Sequence, residues 1–112
     1  MNTYCLTLDL KNDPELIREY EDWHQQVWPE VLQSIKDAGI RNMKIYRFHT
    51  RLCMFMEVED HFSFEDKARR DQENEIVQKW ERLMWTYQSS IPGADTGVKW
   101  QLMDLIFETK QA

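Results

Sequence analysis

The sequence is short of the residues that punctuate, cross-link and ligate. Its 112 residues include 3 Gly, 3 Pro, 2 Cys and 3 His. Cys5 and Cys53 cannot build a disulfide framework, and without a CxxC or HxxH pattern there is no zinc motif. Both fall in β-prone stretches, where small buried thiols are usual. No apolar run approaches the roughly 18 residues of a membrane span, and the first residues, MNTYCLTLDL, lack a basic region ahead of a long apolar core. A cytoplasmic protein with no membrane partner is expected. There is no glycine-rich phosphate loop and no workable Ser, His, Asp ordering, so nucleotide and covalent chemistry find no support. Lys and Arg number 14 against 20 Asp and Glu, a net charge of −6, which argues against a surface that tracks nucleic-acid phosphates. Repeats and low-complexity segments are absent, and the length suits a single domain over residues 1–112.

Aromatic residues, by contrast, are plentiful: five Trp, four Tyr and five Phe, 12% of the chain. Such a content serves either a dense small core or a pocket that stacks on sugar rings or bases. The richest stretch is residues 20–30, YEDWHQQVWPE. With about 100° per residue, Leu16, Ile17, Tyr20, Trp23, His24, Val27, Trp28, Val31 and Ile35 share one half of a helical wheel, with Glu15, Arg18, Glu19 and Asp22 opposite. Tyr20 and His24, four residues apart, lie one above the other on that apolar face. His24 is then either a satisfied core histidine or a titratable group at the floor of a pocket. Its ordinary pKa, about 6.5, lets such a ring both give and take a proton near neutral pH.

In chain order, Tyr4, Leu6, Leu8 and Leu10 alternate with polar or small residues, the period of a half-buried strand. Asp13, Pro14 and Glu15 read as an N-cap, a first-turn proline and a first-turn acid. The helix they open is expected to reach about Ala38, with Gly39 as a left-handed cap and a kink or restart at Trp28 ahead of Pro29. Residues 42–48 and 52–58 form a hairpin across His49, Thr50 and Arg51. Ser63 and Asp66 start a short helix to about Arg70, with Glu65/Arg69 and Asp66/Arg70 as surface charge pairs. Asn74 caps a last helix whose stripe is Ile76, Val77, Trp80, Leu83, Met84 and Tyr87, with Glu81 at its edge. Pro92, Gly93 and Gly97 mark a loop before a final strand over residues 98–107.

This β-α-β-β-α-β order is the ferredoxin-like α+β fold, an antiparallel sheet with both helices on one face. The run 52–58 alternates less cleanly than a half-exposed strand should, which suggests that a second subunit's sheet covers its other face. His49, in the hairpin link, and His61, at a helix entrance, read as solvated surface.

The ordered set Tyr20-x-x-x-His24-x-x-x-Trp28-Pro29-Glu30, followed by Ile45-Tyr46 and Lys79-Trp80, resembles the L-rhamnose mutarotase family, whose members are also assigned to L-fucose. The likeness runs over nearly the whole chain. It implies a dimeric α+β barrel of ferredoxin-like subunits that interconverts the anomers of a 6-deoxy-L-sugar, with no metal or cofactor. By that likeness His24 donates the proton, Tyr20 binds the sugar, and Trp80 and Glu81 are further sugar contacts. The family often has Trp-Trp where this chain has Trp80-Glu81, and a tyrosine where it has Met43. These departures fall at sugar contacts and favour L-fucose over L-rhamnose as the substrate. Other readings of the same fold are a small-ligand-binding module without catalysis and, further off, a heme- or quinone-handling monooxygenase.

Overall fold

A computed structural model describes residues 1–94 and 98–109. Gly97, expected at a turn, lies outside the described residues. The elements are β1 (Asn2–Leu10), α1 (Pro14–Trp23), α2 (Pro29–Asp37), β2 (Ile40–Phe48), β3 (Arg51–Val58), α3 (Phe64–Glu73), α4 (Glu75–Trp85), β4 (Gln88–Ser89) and β5 (Gln101–Leu102). The sheet runs β2-β3-β1-β4, and β5 joins the same edge of β1 further along. All the pairings are antiparallel. The split β-α-β-β-α-β connection and central β1 and β3 make this the expected ferredoxin-like α+β fold.

Helix starts follow local chemistry. The Asp13 carboxylate accepts from the amides of Glu15 and Leu16, Ser63 Oγ accepts from Asp66, and Asn74 Oδ1 accepts from Ile76 and Val77. Gly39 takes φ +95°, where a side chain would be strained and a Cβ would also crowd the His61 ring. The long first helix is really two. A residue before proline is pushed out of the helical region, and Trp28 accordingly sits at ψ 135° as the N-cap of α2. That restart matches the sequence pattern. The end of α1 five residues earlier, at Trp23, does not, because nothing in the periodicity stops there.

Three other expectations change. The third helix runs on to Glu73, and Arg69 pairs with Asp66 and Glu73 instead of Glu65. The strand expected over residues 98–107 is ordered as β only at Gln101–Leu102, extended by a Met103 amide bond to the Cys5 carbonyl. Its place further along β1 is taken by β4, so the fourth strand of the fold is built from two short pieces. Strand β3 alternates buried and less buried residues along its length, so a single chain covers one of its faces.

The helices bury that face. Leu6, Leu8 and Leu10 from β1 and Leu52, Met54, Met56 and Val58 from β3 are at most 7% exposed. Tyr20, Val31, Trp80, Met84 and Tyr87 pack with Leu10 and Leu52, while Leu6, Met54, Met56 and Val58 form a second cluster with Ile40. The other face carries Cys5, Cys53, Tyr46 and Phe55. The two thiols lie 3.0 Å apart, and the Tyr46 and Phe55 rings meet at 5.9 Å. Among the described residues no helix is long and apolar enough to cross a membrane.

Candidate active site

The end of α1 creates the central feature. Over residues 24–26 the backbone tightens to bonds three residues back: His24 to Glu21, Gln25 to Asp22 and Gln26 to Trp23. This leaves the Tyr20 carbonyl without the His24 amide that a continuing helix would supply. The His24 ring supplies a donor in its place, with Nδ1 at 2.8 Å from that carbonyl. A carbonyl oxygen only accepts, so Nδ1 carries the hydrogen. In the neutral ring Nε2 is then the basic nitrogen, and it has no hydrogen-bond partner among the described residues.

His24 borders an open cleft of about 1030 Å³ between the helical layer and the β2 side of the sheet. Strand β2 is an edge strand, and the helices leave its Met43 and Ile45 half-covered, which opens the space. Tyr20, His24, Trp80 and Glu81 all line it, so the four residues picked out in the sequence share one wall system. The volume lies at the upper end of the roughly 300–1,000 Å³ usual for small-ligand sites.

Each of these residues is held by its surroundings. The Tyr20 ring is 3% exposed, 4.5 Å from the His24 ring and 6.1 Å from Tyr87. Burial pushes its hydroxyl up to about 12, although a hydrogen bond from Gln88 offsets part of the shift. Trp80 is 8% exposed and meets Trp23, His24 and Trp28 in near-perpendicular contacts at 6.3, 5.8 and 5.1 Å. It is therefore both a core residue and a wall of the cleft. Burial raises the Glu81 carboxyl above the usual carboxylate range, the charge of Asp71 adds to this, and Lys99 and Lys67 oppose it. His49 and His61 are exposed and lie outside the cleft.

Other cleft residues escaped the sequence reading. Asp71, 9% exposed, holds Lys67 at 2.5 Å, and Lys99 and Trp100 enter from the C-terminal segment. The Lys67/Asp71 spacing of four was a legible signal. Gln88 has none, since it follows the last helix as an isolated amide. No group of three or more His, Cys, Asp or Glu suited to a metal ion occurs among the described residues.

A family model described as L-rhamnose mutarotase matches residues 3–109. The chain belongs to the L-rhamnose mutarotase family. It is 41% identical over 114 residues to the L-fucose mutarotase of Xanthomonas campestris pv. campestris, covering 100% of this chain and 91% of that one. The crystal structure of L-rhamnose mutarotase from Formosa agariphila shares the fold, with a TM-score of 0.72 at 22% identity over 98% of this chain and 100% of that one. A dimeric ferredoxin-like protein from an uncultured marine organism shares it more loosely, with a TM-score of 0.56 at 10% identity over 96% and 91%.

Proposed function

We propose that this family member is an aldose mutarotase that interconverts the α and β anomers of a 6-deoxy-L-hexose, with L-fucose preferred over L-rhamnose. The observation that carries the reading is the His24 ring, held through Nδ1 by the Tyr20 carbonyl, with Nε2 beside the cleft and without a hydrogen-bond partner among the described residues.

Mutarotation needs little more than that. A proton moves onto the ring oxygen, another leaves the anomeric hydroxyl, and the C1–O5 bond opens to an aldehyde. Rotation about C1–C2 presents the other carbonyl face, and the reverse transfers close the ring. His24 in its protonated form gives the proton from Nε2 to the ring oxygen, the neutral ring so formed takes the proton of the anomeric hydroxyl at the same atom, and both transfers reverse on closure. With its ionisation pushed up to about 12, Tyr20 keeps its proton near neutral pH and serves as a hydrogen-bond donor. Trp80 supports the C–H side of the sugar, Glu81 binds its hydroxyls, and Met43 offers an apolar corner for the 6-deoxy methyl group.

The preference for L-fucose draws support from the 41% identity to a protein named for that sugar and from the Glu81 and Met43 departures. A homodimer with sheets packed face to face suits the apolar outer face, where Tyr46 is 57% and Phe55 42% exposed, and the C-terminal Leu105, Ile106 and Phe107.

Anomer exchange measured by magnetisation-transfer NMR on L-fucose and L-rhamnose tests the reading. Acceleration of both, with L-fucose faster, is the expected result. Exchange at the buffer rate for both sugars overturns it, and sugar binding without acceleration would make the chain a binding module.

A further inference from the structure

Gln88 stands at the join between the helical layer and the sheet. Strand β4 pairs it with Leu10 of β1, its side chain is 5% exposed, and it lines the same cleft as Tyr20 and His24. Its Nε2 lies 3.4 Å from the Tyr20 hydroxyl. An amide N–H can only donate, so the phenolic oxygen accepts there and its own hydrogen must seek another acceptor. Among the described residues no protein group takes that hydrogen.

We propose that Gln88 is a positioning residue: it occupies the acceptor side of the Tyr20 hydroxyl and so directs the O–H bond into the cleft, toward an oxygen of the bound sugar. The inference rests on the mutarotase reading and deepens it. Ring opening moves charge between the ring oxygen and the anomeric oxygen, and a donor already aimed at one of them needs no reorientation as that charge develops. The phenol is a poor acid in its buried site, so its contribution is a fixed dipole and His24 carries the proton traffic. The adjacent residue works in parallel on the scaffold. The Tyr87 hydroxyl accepts from Trp23 Nε1 at 3.0 Å, so consecutive residues tie both ends of the last turn of α1 to this corner.

A double-mutant cycle tests the proposal. Gln88→Leu, Tyr20→Phe and the double variant are compared by NMR anomer exchange, with circular dichroism to check folding. Gln88→Leu is expected to lower kcat about ten-fold with KM changed less than about two-fold, and to have less than a two-fold further effect once Tyr20 is Phe. Gln88→Glu, close in shape, replaces the donor with an acceptor that captures the Tyr20 hydrogen, and it should lose as much activity as Tyr20→Phe. Gln88→Met takes the place of the leucine variant should that one fail to fold. Additive losses in the cycle, or full activity in Gln88→Glu, overturn the proposal while the mutarotase reading stands. A wild-type chain that accelerates neither sugar removes both.

Discussion

His24 and Tyr20 are joined through the backbone: the imidazole Nδ1–H donates to the Tyr20 carbonyl at 2.8 Å, across one turn that the helix itself leaves unbonded. The bond selects the tautomer and orients the ring, the two conditions a proton-transfer histidine needs. His24→Ala should lower kcat for anomer exchange by about 10²- to 10⁴-fold, the usual contribution of a positioned acid or base. His24→Gln, which can keep a donor near the Tyr20 carbonyl but cannot exchange a proton, should lose as much. Either variant retaining full activity removes the assigned role, whatever the fate of the family reading.

The Tyr20/His24 pairing was readable because helical spacing puts both residues on the apolar face. What could not be read was the end of α1 at Trp23. The wheel continues smoothly through Val27 and Trp28, and only the three-dimensional chain shows that tightening begins at His24. The strand order followed from alternation in β1 and from the hairpin. The final strand was overestimated because Leu105, Ile106 and Phe107 look like core residues, yet they are 78%, 92% and 77% exposed. Gln88 was invisible for the opposite reason: an amide gains its meaning from a contact 68 residues away in the chain.

Glu81 carries a prediction for both specificity and pH. Burial raises its carboxyl above the ordinary glutamate value, so the folded chain holds its proton more tightly than the unfolded chain. The stability from that difference is complete below the unfolded value and is lost as pH rises through the folded one. Glu81→Gln removes this loss. The variant's melting temperature should therefore gain on the wild type as pH rises from about 4 to 8, and parallel pH profiles would show that Glu81 is not desolvated. In the same cleft, Glu81→Trp should change the ratio of L-fucose to L-rhamnose exchange rates; an unchanged ratio would take Glu81 out of sugar selection.

The Cys5 thiol, 3.0 Å from that of Cys53 on the outer face, should be slow to react. Burial first, and then the neighbouring Cys53, pushes the Cys5 thiol from 9.0 up to about 11. Thiolate is the reactive form, and a rise of two units lowers its fraction at neutral pH about 100-fold. Labelling of Cys5 with Ellman's reagent at pH 7.5, located by peptide mapping, should accordingly run about 100-fold slower in the native chain than in urea. Fast native labelling would show that the thiol ionises normally.

The outer face bears on assembly. Tyr46 and Phe55 meet edge to face across neighbouring strands β2 and β3 with their rings at 5.9 Å, and both stay substantially exposed in a single chain. In a face-to-face dimer the two sheets would sit about 10 Å apart with these rings between them. A carboxylate placed there meets either water in a monomer, at little cost, or a desolvated interface in a dimer, at a cost of several kcal/mol. Phe55→Asp should therefore convert a species of twice the chain mass, read by sedimentation equilibrium, into one of the chain mass, with the helical circular dichroism kept. The cleft lies on the other face of the sheet, so the separated subunit still contains Tyr20, His24, Trp80 and Glu81. A wild-type chain that sediments as a monomer at micromolar concentration would rule out the face-to-face pairing and leave the apolar outer face without a partner sheet.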